Sequence, residues 1–505
     1  MLRANGLSYR YPSASEPNLD AVSLSAPRGQ LVVLAGPTGS GKSTLLRMLA
    51  GLTQRHGQGD HHGEVSIDGM DIPSMTPRQR AQHLAFVSQS PEDQIVCQTV
   101  IDELCFGLEN ACAQADIIEP TAMEWLGKVG LSFPPTHRTS AMSGGEQQRL
   151  VVGSALAAGS RLALLDEPLA QLDPSGAAEL VRLMRALADE GFTVVVAEHR
   201  LPMLWAVADR LIVLDAGRVC SDTPIESAPI SDLKALGLAI PPMLEFTTLA
   251  DGRELSFRPP GDLNPAPEPH TTRFDIGAAR VVYEGTERPA LQTNAFTMSL
   301  GERIAILGPN GSGKSTLLRH MRDAMGHRSV MVPQNADLTL FNPTVFDEIA
   351  FGPRERGHDD SQISTIVDSV SQQLGLNTLV DRAPHSLSMG QRVRLAVASA
   401  LSCETELLLL DEPTSGQDAG QLQEMMTNLS TARDASTLVF TTHDVSMALM
   451  HSTRVLMMEH GQIKFDGTPA AAMEALSHLD SWVAFCHTHG LPMLTPTQAV
   501  ECLNG

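Results

Sequence analysis

The stretches GPTGSGKST (36–44) and GPNGSGKST (308–316) decide how this chain is read. Both satisfy the spacing GxxxxGK[ST]. Each follows an apolar run, LVVLA (31–35) or RIAIL (303–307), that reads as a buried strand. Each leads into LLR, which opens a helix. A strand, a glycine loop and a helix start are the context that makes this pattern a phosphate cradle. Glycines let the backbone wrap an anion without Cβ clashes, and the loop N–H groups and helix N-terminus then face it. The cradle residues are Gly36, Gly39, Gly41 and Thr44 in the first copy, and Gly308, Gly311, Gly313 and Thr316 in the second. Lys42 and Lys314 are placed to neutralise β- and γ-phosphate charge. Ser43 and Ser315 offer hydroxyls to a Mg²⁺ ion.

Working outward, the two copies stay in register. Tyr11 precedes Gly36 by the same interval that separates Tyr283 from Gly308. Gln89 and Ser143 are spaced as Gln334 and Ser388 are. The step from Ser143 to Asp166 equals the step from Ser388 to Asp411. Glu167 to His199 and Glu412 to His443 differ by a single position. Such spacing means two homologous domains. One interval breaks. Lys42 to Gln89 is more than twice as long as Lys314 to Gln334. The second copy lacks the counterpart of GEVSIDGMDI (63–72), which reads as strand, turn and strand. Its β-layer is expected to be trimmed.

RLALLDEP (161–168) and ELLLLDEP (406–413) each deliver two acids to the C-terminal end of a buried strand, where α/β sheets hold their ligands. Asp166 and Asp411 are expected in a Mg²⁺ shell, and Glu167 and Glu412 to polarise an attacking water.

The 505 residues are 42% hydrophobic and 19% charged, enough to bury large cores. The 36 Lys and Arg against 58 Asp and Glu give a net charge of −22, so no nucleic-acid partner is expected. No run is long and apolar enough to span a membrane, and MLRANGLSYRYP has no secretory apolar core. Seven scattered cysteines without a CxxC pair fit a reducing compartment. The segment 217–275 carries more acidic than basic residues. It includes SDLKALGLAIPPML (231–244), room for a short helix, and then a Pro-rich spacer, RPPGDLNPAPEP (258–269). HTHGLPMLTPTQAV (487–500) is a faint echo of a helical appendage. HGQGDHH (56–62) and HTHG (487–490) read as solvated loops, since their spacing fixes no metal ligands on one face.

With these residues in hand, the sequence resembles the ATP-binding-cassette family. SGGEQQR (143–149) and LSMGQRVR (387–394) look like its signature loop. The resemblance implies an α/β fold of two tandem P-loop NTPase domains, each with a RecA-like mixed sheet and a helical signature subdomain, the antiparallel β-layer trimmed in the second. It implies domains at 1–218 and 273–475, a linker at 219–272 and a helical tail at 476–505. It makes Tyr11 and Tyr283 adenine-stacking residues, and Gln89 and Gln334 Q-loop residues that sense the metal and meet a transmembrane partner. His199 and His443 become switch histidines, and AQLD (170–173) and SGQD (415–418) D-loops. ATP and Mg²⁺ are the implied cofactors. The family pairs cassettes head to tail. Here the pair is intramolecular: Lys42, Asp166, Glu167 and His199 would work with Ser388 and Gly390, and Lys314, Asp411, Glu412 and His443 with Ser143 and Gly145. Both sites should hydrolyse. Met389 replaces the usual signature glycine and Glu146 the usual glutamine.

After each Q-loop glutamine comes TV-x-DE-x-x-FG, at 99–107 and 344–352. This pattern, with AEHRL (197–201), is similar to the ATPases of energy-coupling-factor (ECF) importers, and a fused double ATPase resembles ECF systems linked to thiamine or its pyrimidine precursor. The resemblance implies a protein on the cytoplasmic face of the membrane. Its Q-loop grooves would receive a transmembrane scaffold subunit, beside a small substrate-binding membrane subunit. Glu92, Asp93, Asp102 and Glu103 are expected to meet basic residues of the scaffold. Fused sugar importers and the ABC-F translation factors are the alternatives. The former usually have a degenerate second site, and the latter a basic helical linker.

Overall fold

The computed structural model describes residues 1–505 except 13, 15, 54–58, 171, 252–254, 256, 258–271, 284–287, 414–418, 432–436, 479 and 504–505; for 419, 430 and 431 it describes the backbone alone. The chain divides into two compact units, Met1–Pro241 and Pro242–Gly505.

Unit 1 begins with β1 (Leu2–Arg10), β2 (Leu19–Ala26), β3 (Leu31–Ala35), α1 (Lys42–Leu49), β4 (Asp60–Ile67), β5 (Met70–Asp71), α2 (Pro77–His83) and β6 (Ala85–Val87). The helical α3 (Val100–Asn110), α4 (Ala115–Lys128) and α5 (Gly144–Ala157) follow. Then come β7 (Leu162–Asp166), α6 (Pro174–Asp189), β8 (Thr193–Ala197), α7 (Leu201–Leu204), β9 (Arg210–Asp215), β10 (Arg218–Pro224) and α8 (Ile230–Ala235). The main sheet has the order β10-β9-β3-β8-β7-β6, parallel except for β10. Its strands β3, β7 and β8 read LVVLA, LALLD and TVVVA, and every residue in them is buried. An unbroken apolar run fits a sheet covered on both faces. An antiparallel layer, β2-β1-β4-β5, packs its alternating apolar face on the α1 side of that core.

Unit 2 opens with α9 (Pro242–Ala250), β11 (Arg273–Ile276), β12 (Ala279–Val281), β13 (Leu291–Thr293), β14 (Phe296–Ser299), β15 (Arg303–Leu307), α10 (Lys314–Met325) and β16 (Ser329–Val332). It continues through α11 (Val345–Glu355), α12 (Asp360–Gln373), α13 (Met389–Ser402), β17 (Leu407–Leu410), α14 (Ala419–Thr431), β18 (Thr437–Thr442) and α15 (Val445–His451). It closes with β19 (Arg454–Glu459), β20 (Gln462–Gly467), α16 (Pro469–Leu476), α17 (Ser481–Thr488) and α18 (Pro496–Glu501). Its main sheet, β16-β17-β18-β15-β19-β20, repeats the order of the first. The antiparallel layer is reduced to two two-stranded pieces, β11-β14 and β12-β13. The expected trimming is therefore present.

Three segments differ from their sequence reading. Residues 219–224, placed in the linker, belong to β10 and pair with β9. Helix α9, from the same linker, packs into unit 2: Phe246 lies 4.8 Å from the Phe485 ring and 5.6 Å from Trp482, and the Trp482 indole donates to the Leu494 carbonyl at 2.7 Å. Asp60, His61 and His62, read as a loop, form the start of β4 beside Tyr9 and Arg10. Arg10 ion-pairs with Asp60, which takes that acid out of any metal set. His56 to Gln58 lie outside the described residues, as does the Pro-rich spacer 258–269. HTHG ends α17, where His489 packs 4.3 Å from Phe485.

Candidate functional site

The sheet order builds the site. In unit 1, β8 lies between β3 and β7, and the segments leaving their C-terminal ends carry Lys42, Asp166–Glu167 and His199. In unit 2, β15, β18 and β17 bring Lys314, His443 and Asp411–Glu412 together in the same way.

The glycine loops need glycine for two reasons. Gly41 and Gly313 cap α1 and α10 with φ of 100° and 99°, in the left-handed region. A Cβ on Gly36 would lie 2.2 Å from the Leu214 carbonyl oxygen, and one on Gly308 would lie 2.4 Å from that of Met458. Gly39 and Gly311, also left-handed, face open space. The buried hydroxyls of Thr38, Ser40 and Ser312 have no hydrogen-bond partner among the described residues, so the loops hold donors for an anion. Lys42 Nζ donates to the carbonyls of Gly36 at 2.8 Å and Pro37 at 3.0 Å; Lys314 Nζ does the same to Gly308 at 2.7 Å and Pro309 at 3.2 Å.

Ser43 Oγ donates to Asp166 Oδ1 at 2.8 Å, and Ser315 Oγ to Asp411 Oδ1 at 3.0 Å. Each pair joins a hydroxyl and a carboxylate, the hard-oxygen set that suits Mg²⁺. Burial pushes the Asp166 carboxyl up, against the Ser43 hydrogen bond that draws it down.

Glu167 and Glu412 both sit in the left-handed region, at φ 49° and 50°. A non-glycine residue held there stores local strain, and both copies keep it at the same position. Glu167 accepts from Gln89 Nε2 at 2.9 Å and faces His199 Nε2 at 3.0 Å. Glu412 faces His443 through Nδ1 at 3.0 Å, and Lys314 Nζ lies 3.5 Å from its other oxygen. Burial pushes both carboxyls up, but the adjacent histidine and the P-loop lysine outweigh it and hold both below the ordinary range. An ionised, oriented carboxylate beside a phosphate cradle can position and polarise a water.

Tyr11 and Tyr283 reach the same helix starts: their hydroxyls lie 3.4 Å from Thr44 Oγ1 and 3.2 Å from Thr316 Oγ1. Gln334, unlike Gln89, is exposed. Ser143 and Ser388 are N-caps of α5 and α13, each closing a capping box, with Glu146 in one and Gln391 in the other. Glu146 thus performs the local task of the glutamine it replaces. Gly145 packs against Gly176, where a Cβ would meet its Cα at 3.3 Å, and Gly390 is buried. Gln171 and the whole of SGQD (415–418) lie outside the described residues.

The segment after each Q-loop corrects one expectation. Glu103 does not face a partner. It is 3% exposed and accepts the N–H groups of Val96 at 3.0 Å and Cys97 at 2.8 Å. Glu348 does the same for Phe341 at 3.0 Å and Asn342 at 2.8 Å. A buried carboxylate needs such donors, and here it shapes the turn. Glu92, Asp93 and Asp102 stay exposed. What the turn presents is apolar: Val96 is 61% exposed and Phe341 65%, with Phe106 and Phe351 behind them at 42% and 40%. Sequence reasoning also passed over Glu198 and Thr441. Thr441 donates to Asp411 at 2.8 Å. A charged residue ending the apolar run TVVVAEH was the available signal for Glu198.

A family model described as ABC transporter matches residues 19–170 and 291–415. A Streptococcus mutans protein is 33% identical over 92% of this chain and 90% of its own length. A Methanosarcina acetivorans protein is 32% identical over 92% and 84%. Both carry provisional names as ABC transporter ATP-binding proteins. The archaeal ribosome recycling factor aABCE1, solved with the stalk protein aP1, shares the fold at a TM-score of 0.60 and 21% identity, over 94% of this chain and 92% of its own.

Proposed function

The chain belongs to the ABC transporter family, and on that premise we propose that it is the ATP-hydrolysing subunit of an ECF-type importer. It sits on the cytoplasmic face of the membrane and couples ATP turnover to uptake of a vitamin or related micronutrient. Thiamine and its pyrimidine precursor are the first solutes to test. The observation that carries the reading is the pair of apolar surfaces after the Q-loops, Val96 with Phe106 and Phe341 with Phe351, exposed at equivalent positions in the two units. Exposed aromatic side chains at a repeated position fit the coupling helices of a scaffold subunit better than solvent.

In this reading the P-loop N–H groups and Lys42 or Lys314 bind the ATP phosphates. Ser43 with Asp166, and Ser315 with Asp411, would hold Mg²⁺, which supplies charge neutralisation at the transferred phosphoryl group. Glu167 and Glu412 orient the attacking water, and His199 and His443 fix those carboxylates. Tyr11 and Tyr283 stack on adenine, and Ser143, Gly145, Ser388 and Gly390 complete the sites through head-to-tail pairing. Gln89, which donates to Glu167, stands at the head of the segment that leads to this surface.

The test is a mild-detergent pull-down of the tagged chain from its native membranes. A polytopic scaffold with a small, very hydrophobic second subunit is expected, and the small subunit points to the solute. A permease of the sugar-importer kind would replace the ECF assignment. Ribosomes without membrane proteins would remove the transport role and leave the ATPase.

A further inference from the structure

Glu198 follows directly on β8, one residue before His199, and is 2% exposed. Its Oε1 accepts the N–H of Leu169 at 2.9 Å. Its Oε2 accepts those of His199 at 2.6 Å and Arg200 at 2.9 Å. Leu169 lies just beyond Glu167 on the same loop. One carboxylate therefore bridges the loop that carries Glu167 and the loop that carries His199. Arg200 adds a second tie, donating to the Leu172 carbonyl at 2.9 Å.

Unit 2 solves the same problem with other residues. Its counterparts of Ala197 and Glu198 are Thr441 and Thr442. Thr441 Oγ1 accepts the N–H of Glu412 at 2.8 Å, and Thr442 Oγ1 accepts that of Asp444 at 3.0 Å. In unit 1 the Glu167 N–H goes instead to the Ala197 carbonyl at 2.9 Å. Two hydroxyls in one unit and one buried carboxylate in the other tie down the same pair of loops. Burying a carboxylate is costly, and it is tolerated only where its acceptors are used, as all three donors here use them.

We propose that Glu198 is a positioning residue of the first unit, fixing the Glu167–His199 contact by clamping the backbone on both sides of it. This rests on the reading of Glu167 and His199 as a hydrolytic pair. Its effect passes through His199, so it belongs to turnover and not to ATP binding, which the P-loop supplies.

The experiment is a double-mutant cycle on the full-length chain, reading kcat and KM for Mg²⁺-ATP, with His199→Ala setting the scale. Glu198→Thr, a residue this fold accepts at the equivalent position in unit 2, is expected to lower kcat by at least about a third of the His199→Ala loss on a logarithmic scale. KM should stay within about twofold. Added to His199→Ala, it should cost less than about twofold more. Glu198→Gln, which keeps one acceptor oxygen, should fall between wild type and Glu198→Thr, and it carries the test if the threonine variant does not fold. An unchanged kcat, or a full multiplicative loss in the His199→Ala background, overturns the proposal. A His199→Ala variant with wild-type turnover overturns the parent reading, and the clamp's role with it.

Discussion

Glu167 and Glu412 carry the chemistry proposed for this chain, and their geometry dictates how to remove it cleanly. Glutamine is nearly isosteric, keeps one carbonyl oxygen for His199 or His443, and leaves the left-handed backbone untouched. It cannot polarise a water as a carboxylate does. Glu167→Gln with Glu412→Gln should therefore retain Mg²⁺-ATP and lose turnover by about a hundredfold or more. Steady-state hydrolysis near the wild-type rate would remove both residues from the reaction. A second residue makes a prediction about stability. His451 in α15 is buried, with Gln423 Oε1 at 3.3 Å from Nε2. Burial, helped by the Arg303 charge, pushes its pKa down to about 4. The unfolded chain takes up that proton near pH 6.5, and the folded chain resists until about 4. Stability should fall as pH drops through that window and be steady above it. His451→Gln should flatten about 2–3 kcal/mol of the slope between roughly pH 6.5 and 4.5. Parallel urea-midpoint curves for wild type and variant would sink the assignment.

At the scale of elements, the deletion in the second copy changes how the P-loop helix ends. Helix α2 carries Arg80. This side chain is buried, and its Nη1 donates to the carbonyls of Ala50 at 3.1 Å and Gly51, at the open end of the P-loop helix α1. Among the described residues of unit 2 no counterpart of α2 lies between α10 and β16, and the P-loop helix α10 runs on to Met325 and ends on Gly326 at φ 55°. The two copies thus terminate one helix by two routes. Arg80→Ala should leave those carbonyls unmet and destabilise unit 1 by about 3 kcal/mol. Amide exchange should speed up over 42–51 and not over 314–325; uniform loss of protection in both units would contradict it. This difference marks how far the sequence could be read. Motif located the P-loops and carboxylates, and register between the copies located the deletion and the paired histidines, because strand ends and glycine loops are set by local pattern. Arg80, Glu103, Glu348 and Glu198 were not legible, since a charged residue is written the same way whether a distant backbone N–H or carbonyl captures it or not. Helix α9 was hidden for a different reason. Its Phe246 and Ala250 sit among Pro-rich neighbours, and only their contact with α17 and α18, at the far end of the chain, assigns them to unit 2.

For the molecule as a whole, the proposed transport role requires a surface that would attach it to a membrane. No helix among the described residues is long and apolar enough to cross one. On the reading proposed above, attachment would come from the surface, where two forces compete. The net charge of −22 and the exposed Glu92 and Asp93 would offer electrostatic pairing with the proposed scaffold, were its surface basic. Val96, Phe106, Phe341 and Phe351 offer apolar contact, with the two second-unit rings edge to face at 5.0 Å. Salt separates the two. At about 1 M the screening length is about 3 Å, so charge pairing between exposed groups fades while apolar burial does not. Membranes washed at that salt concentration are expected to keep the chain. Phe341→Ser with Phe351→Ser should halve its recovery, and adding Val96→Ser and Phe106→Ser should abolish it. Because Val96 and Phe341 are more than half exposed, Val96→Ser and Phe341→Ser alone should leave the melting temperature within about 2 °C. A chain stripped by salt and indifferent to the serines would be held by its acids, and the apolar turn that Glu103 and Glu348 shape would then serve the fold of each unit alone.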